Sequence, residues 1–133
     1  MIDELDAEAW VHLTGRVSEH ELVRLYQQAW VASSASAREG WGLSLTEAAA
    51  CGTPAVATRI AGHIDAVRDG TSGLLTDGTA DSLGAALARV LSDTTLRASL
   101  QAGALERASV LSWESTALGV MRTLAAQAAR HPS

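Results

Sequence analysis

Two patterns of apolar and polar positions divide the chain. Between residues 10 and 76, short apolar runs alternate with segments of helical spacing and with glycine-containing turns. Beyond Thr79 the apolar positions keep a helical spacing almost to the end of the chain. Alternating strands and helices are typical of a parallel sheet with crossover helices, and short strands that are apolar throughout indicate a sheet covered on both faces. We therefore predict an α/β fold with about four short parallel strands, flanking helices and a helical C-terminal third.

The same pattern predicts where the individual elements begin and end. The predicted strands are residues 10–14, 31–34, 55–58 and 73–75. The predicted helices are residues 18–28, 43–50, a short helix ending near 67, and then 81–91, 94–109 and 112–130. Ser18, followed three residues later by Glu21, forms a capping-box pattern that marks the start of the first helix.

Composition and charge limit the classes of function. The 133 residues are 47% hydrophobic and 19% charged, as in a globular domain. The net charge of −5 argues against binding to the nucleic-acid backbone, so no nucleic-acid partner is expected. Cys51 is the single cysteine and is predicted to be a buried residue at a helix end. An acidic start without a signal-peptide pattern, and the lack of a long apolar run, predict a cytoplasmic protein.

The four histidines show no metal-ligand spacing, so we expect no metal site and no cofactor. His63 follows Gly62 in a turn and is predicted to be a surface residue. Neither a nucleophile elbow nor a histidine in a suggestive position accompanies Cys51 or Ser44, which argues against nucleophilic catalysis by either residue.

The most informative segment runs from residue 36 to residue 57. It predicts a strand, then a loop with Gly40 and Gly42, then a helix that begins at Leu43. Glycines allow a ligand to approach the backbone closely, and the free N–H groups of a first helical turn favour an anion. Two carboxylates bracket this loop, Glu39 before the helix and Glu47 one turn inside it.

This arrangement suits a nucleoside diphosphate sugar. A carboxylate can accept two hydrogen bonds from vicinal hydroxyls, so Glu47 would hold the ribose and Glu39 the sugar. The amides of residues 40–43, with Ser44 in the first turn, would hold phosphate and sugar oxygens. Two interpretations stay open for Trp41, which either covers the core under the loop or stacks on the sugar.

The spacing of Glu39 and Glu47, with seven residues between them, resembles the donor-site motif of the group 1 glycosyltransferases. Residues in register with that motif are Gly40, Gly42, Leu43, Ala48, Ala50, Gly52 and Pro54. Further segments resemble the family in the same order along the chain, namely residues 11–17, 21–26, 61–67, 69–75 and 112–114.

The resemblance implies a GT-B fold, in which two Rossmann-like domains enclose the active site, and a retaining transfer. Helical rise predicts that Glu39 and Glu47 lie roughly 10 Å apart, too far for the double displacement of retaining hydrolases, so no covalent intermediate is expected. It implies that residues 1–133 are a partial nucleotide-sugar-binding domain, with the acceptor-binding domain and an upstream basic pair for the diphosphate missing. Gly15, Arg16 and Val17 would contact the base through their backbone, the alternative being that they are only the exit of a strand. Glu39 would be the catalytic residue that orients the donor.

Three hypotheses follow for the function. The chain is the donor-binding half of a glycosyltransferase, a non-catalytic nucleotide-sugar-binding module, or a domain that acts only with a separate partner subunit carrying the N-terminal acceptor domain. Apolar faces that would normally pack against the missing part predict self-association into a homo-oligomer.

Overall fold

The computed structural model describes residues 3–130. A short 3₁₀ helix at Asp3–Leu5 precedes the main elements. The strands are β1 (Ala32–Ser34), β2 (Ala55–Thr58) and β3 (Gly73–Thr76). The helices are α1 (Glu19–Gln28), α2 (Leu43–Ala50), α3 (Ala61–Ala66), α4 (Ala80–Ser92), α5 (Thr94–Ser109) and α6 (Trp113–Arg130). The bounds of α2, β2 and α5 are those that the sequence pattern predicts.

The three strands form one parallel sheet in the order β1-β2-β3. All four residues of β2 are buried, because the sheet carries an apolar cluster on each face. Ala55 and Ala57 of β2 join one cluster, in which Leu45 of α2 packs. Val56 points to the other face and packs with Val90 of α4 and Leu100 of α5. The α/β prediction with helices on both faces of a parallel sheet is confirmed.

The approach of β3 to β2 is close at Gly73, which pairs with Ala55. A Cβ placed on Gly73 would lie 2.3 Å from the Ala55 carbonyl oxygen and 2.8 Å from a methyl carbon of Val67. Real Cβ atoms do not approach a backbone atom so closely, so this position requires glycine.

The strand predicted at residues 10–14 is not formed, and within residues 3–130 the sheet has three strands instead of about four. Trp10 is 71% exposed and Leu13 is 84% exposed, so neither side chain enters the core. A strand exists only when a neighbouring strand takes its backbone hydrogen bonds, and no described strand pairs with this segment. The apolar, β-branched pattern alone was therefore misleading.

The helix ends follow the predicted capping chemistry in part. The Ser18 hydroxyl accepts a hydrogen bond from the Glu21 N–H at 3.2 Å. The Glu21 carboxylate does not return the bond to the cap; it pairs with Arg24, one turn along the exposed face, at 2.7 Å. Half of the capping box therefore forms.

The last helix has a different character, since none of the residues of α6 is buried. Its exposed apolar side chains are Trp113, Leu118, Val120, Met121 and Leu124. Among residues 3–130, no helix combines the length and the apolarity needed to cross a membrane.

Candidate functional site

The candidate site lies where the loop that follows β1 meets the start of α3. The Gly42 N–H donates to the Gly62 carbonyl oxygen at 3.1 Å. A Cβ on Gly62 would lie 2.7 Å from the Glu39 carbonyl oxygen and 3.0 Å from the Trp41 nitrogen. The loop between β1 and α2 therefore rests directly on the backbone of Gly62, and its course depends on the missing side chain there.

Glu39 is held in this loop with its carboxylate partly accessible, at 30% side-chain exposure. The Ser36 hydroxyl donates to Oε1 at 2.6 Å. The other oxygen, Oε2, lies 3.6 Å from Nε2 of His63. The loop thus presents one carboxylate in a defined direction, as a group that binds a ligand hydroxyl must be presented.

His63 is fully buried, so the prediction of a surface histidine is wrong. Its Nδ1 lies 2.8 Å from the Thr58 carbonyl oxygen and 3.1 Å from the Thr58 hydroxyl, at the end of β2. Thr58 also donates its hydroxyl to the Ser36 carbonyl oxygen at 2.6 Å. The ends of β1 and β2, α3 and the site loop are in this way joined by polar contacts. Only the close spacing of Thr58, Gly62 and His63 hinted at such packing.

Glu47 lies on the exposed face of α2 and lines an open groove of about 710 Å³. The groove runs between α2 and the segment that leads into α6, and Trp41, 43% exposed, forms part of its wall. This partial exposure is compatible with both interpretations of Trp41, covering the core under the loop and stacking on a sugar. The full lining is Trp41, Leu43, Thr46, Glu47, Ala50, Ala108, Leu111, Ser112, Trp113 and Thr116.

Tyr26 of α1 is a neighbour of Glu47 that the sequence did not reveal. Burial raises the pKa of the Tyr26 phenol, and the negative charge and a hydrogen bond of the Glu47 carboxylate raise it further. The phenol therefore stays protonated over the physiological pH range and can donate to Glu47.

The start of α2 is only partly free for an anion. Gly42 is the N-cap, without a side-chain hydrogen bond to the cap in the described chain. The Gly42 N–H is taken by Gly62, and the Leu43 N–H donates to the Trp41 carbonyl oxygen at 2.9 Å. Ser44 is exposed in the first turn, and a Cβ on Gly40 would meet no described atom within 4 Å. An anion would therefore approach beside Gly40 and Ser44.

The predicted base-binding loop lies before α1. Gly15 adopts a positive φ of 62°, and Gly15 and Arg16 are exposed, while Val17 is partly buried. This loop is not part of the described groove lining. Cys51 is the C-cap of α2 and is partly exposed, whereas it was predicted to be buried.

The fold and site define the class of protein. The chain is a Rossmann-like α/β domain whose candidate ligand-binding groups lie at the carboxyl ends of parallel strands, where such sheets bind their ligands. It belongs to the family of glycosyl transferases group 1, whose sequence profile matches residues 1–107. The family resemblance stated from the motif is confirmed.

The relatives of this chain include D-inositol 3-phosphate glycosyltransferases. That of Salinispora arenicola is 43% identical over 102 residues, which are 76% of this chain and 23% of the relative. That of Corynebacterium urealyticum is 48% identical over 98 residues, 73% of this chain and 23% of the relative. That of Thermobifida fusca is 38% identical over 122 residues, 91% of this chain and 28% of the relative. The chain thus spans about a quarter of the length of these relatives.

Two solved structures share the fold. Sucrose-phosphate synthase from Thermosynechococcus elongatus superposes with a TM-score of 0.84 and 30% identity, over 98% of this chain and 33% of that one. Anabaena HepE, solved in complex with UDP and glucose, superposes with a TM-score of 0.80 and 25% identity, over 94% of this chain and 34% of that one. These neighbours are GT-B proteins, and the fold is that of the Rossmann-like C-terminal domain of this type.

Proposed function

We propose that residues 1–133 are the donor-binding part of a retaining glycosyltransferase, which transfers a glycosyl group from a nucleoside diphosphate sugar to an acceptor. The observation that carries the proposal is the placement of Glu39 and Glu47. One carboxylate is held by Ser36 beside the start of α2, and the other lines an open groove one turn further along the same helix. Membership of the family supports the reaction class.

In this proposal the two carboxylates divide the ligand between them. Glu47, with Tyr26 as its hydrogen-bonding neighbour, accepts the ribose hydroxyls. Glu39 accepts hydroxyls of the donor sugar, and Trp41 offers an exposed indole face for stacking. Gly15, Arg16 and Val17 contact the base from the loop before α1.

The chemistry proposed for the site is electrostatic. Charge develops on the departing diphosphate, and the partial positive charge at the start of α2 favours it there. Glu39 orients the sugar and stabilises positive charge as the glycosidic bond breaks, without becoming covalently attached. A double displacement needs two carboxyl groups about 5 Å apart. The helical rise and the seven intervening residues predict that Glu39 and Glu47 lie roughly 10 Å apart, too far for that route.

Acceptor binding is proposed for the part of the relatives that this chain does not span. The name of these relatives makes D-inositol 3-phosphate the first acceptor to test in a longer protein that contains these residues. The alternative is a non-catalytic nucleotide-sugar-binding module or fragment that needs a separate partner subunit. We expect the chain alone to bind a donor without transferring it, and turnover by the purified chain would contradict this expectation.

The test is calorimetry with UDP-glucose, UDP-N-acetylglucosamine and GDP-mannose, together with UDP and GDP. Glu47→Ala should weaken binding of nucleotide sugar and nucleoside diphosphate alike by about 1.5–3 kcal/mol, the range for hydrogen bonds to a charged group. Glu39→Ala should weaken binding of the nucleotide sugar and leave the nucleoside diphosphate nearly unchanged.

Glu106→Ala, at an exposed position of α5, is the matched control and should bind like the unaltered chain. Equal losses for both ligands in Glu39→Ala would contradict the division between sugar and ribose. Unchanged binding in both Glu39→Ala and Glu47→Ala would refute the proposed site.

A further inference from the structure

The contacts of the His63 imidazole show which of its two nitrogens carries a hydrogen. Its Nδ1 lies 2.8 Å from the Thr58 carbonyl oxygen, which can only accept, so Nδ1 carries a hydrogen. The Thr58 hydroxyl, 3.1 Å from the same nitrogen, already donates to the Ser36 carbonyl oxygen. Nδ1 therefore carries a hydrogen and is taken by Thr58, which leaves Nε2 to face another group.

The other side of the ring is unusual. Nε2 is buried and has no hydrogen-bond partner among the described residues. Most buried side-chain polar atoms are hydrogen-bonded, so an orphan nitrogen in a fully buried ring calls for a function. The charged group that faces it is Glu39, whose Oε2 lies 3.6 Å away, within ion-pair range and just beyond a hydrogen bond.

We propose that His63 is a positioning residue for Glu39, with Nε2 directed at Oε2 across 3.6 Å. The Ser36 hydroxyl holds Oε1 and His63 holds Oε2, so the carboxylate is fixed through both oxygens before the donor arrives. His63 is fully buried, so its proposed role is exerted only through Glu39. This inference rests on the proposed function, in which Glu39 contacts the donor sugar.

The geometry of the ring allows each nitrogen to be replaced separately. In His63→Gln the side-chain amide reaches toward the position of Nε2 and can donate to Glu39. In His63→Asn the shorter amide reaches only the position of Nδ1 and keeps the contact with Thr58. A structural role alone would be served better by the shorter variant, and positioning of Glu39 by the longer one.

The experiment measures calorimetric binding of the tightest nucleotide sugar among UDP-glucose, UDP-N-acetylglucosamine and GDP-mannose, and of its nucleoside diphosphate. We expect His63→Gln to stay within about threefold of the unaltered chain for the nucleotide sugar, and His63→Asn to lose about tenfold or more, because the bond lost involves a charged group. Both variants should bind the nucleoside diphosphate unchanged. Equal nucleotide-sugar binding by the two variants, or a better result for His63→Asn, would overturn the proposal.

Glu39→Ala separates this inference from the proposed function. If Glu39→Ala loses affinity for the sugar and His63→Asn does not, the positioning role is wrong and the proposed function stands. If Glu39→Ala loses nothing, the proposed function itself fails.

A measurement without ligand keeps the inference testable where a variant does not fold. Ring ¹⁵N spectra of the unaltered chain should show Nδ1 protonated, and Glu39→Gln should shift the Nε2 resonance. A ring protonated on Nε2 alone, with a resonance indifferent to Glu39→Gln, would also overturn the proposal.

Discussion

Replacing Gly62 with alanine tests how the site loop is held. The added methyl carbon would lie 2.7 Å from the Glu39 carbonyl oxygen, whereas ordinary contacts of a Cβ begin near 3.4 Å. The loop or α3 must therefore move by about 0.7 Å, the difference between these two distances. Both neighbouring atoms, on Glu39 and Trp41, belong to the backbone, so no side-chain rotation can relieve the contact.

The expected loss of stability in Gly62→Ala is the sum of two free-energy costs. Overpacking of this kind destabilises a fold by about 1–3 kcal/mol, and weakening of the bond from Gly42 to Gly62 adds about 0.5–1.5 kcal/mol. We expect Gly62→Ala to lower the free energy of unfolding by roughly 1.5–4.5 kcal/mol in urea denaturation. Binding of the nucleotide sugar should weaken beyond that of the nucleoside diphosphate, because Glu39 is displaced.

Gly84→Ala is the matched control, since a Cβ at this exposed position of α4 would meet no described atom within 4 Å. Removing a glycine from a helix interior should raise stability by about 0.5–1 kcal/mol and leave binding unchanged. A Gly62→Ala chain as stable as the unaltered one, with the same affinity for the sugar, would refute the account of the loop.

Three further predictions concern the rest of the fold. Leu100→Ala should lower the unfolding free energy by about 2–5 kcal/mol in urea denaturation, because Leu100 is fully buried. The control is Leu105→Ala, which should cost about 1 kcal/mol or less because Leu105 is half-exposed. Equal losses in the two variants would contradict the assigned core. Burial raises the pKa of Asp69, but hydrogen bonds from the Leu75 N–H and from Arg59 outweigh it and hold the pKa below its usual value. A carboxyl whose pKa is lowered on folding stabilises the fold above about pH 4 and loses that contribution as the pH falls through the folded value. Asp69→Asn should therefore lower stability at pH 7 and flatten its acid decline, and an unchanged pH profile would contradict the assignment. Self-association at micromolar concentration is expected from the exposed apolar side chains of α6 and of the segment before α1, and a sedimentation profile of clean monomer would refute it.

The sequence was sufficient for elements whose signals are local. The bounds of α2 follow from helix-forming residues that end before Gly52, and β2 follows from an apolar run after Pro54. The Ser18 cap is also a local signal, formed within one turn. In each case the interactions that define the element lie within a few residues of it.

The predictions that were wrong concern residues whose structure depends on partners distant in the chain. The segment 10–14 has the composition of a strand, but pairing is a property of a neighbouring strand and not of the segment itself. Burial of His63 depends on Thr58 and on the site loop, which meet it only in the folded sheet. Part of the candidate site could be located from sequence, while the groups that orient Glu39 could not.

The close approach at Gly73 has a consequence for folding. Because β2 is buried on both faces, a mispaired β3 shifted along it would bury nearly as much apolar surface, and hydrophobicity alone distinguishes such alignments poorly. Steric exclusion makes the distinction, since a shift by one residue would bring the side chain of Ser72 or Leu74 to the Ala55 carbonyl, where only a hydrogen atom fits. Gly73 thus favours the correct alignment of β3 with β2, because any residue with a Cβ at this place would collide with the Ala55 carbonyl. A redesign that moves β3 along the sheet would have to move this glycine with it.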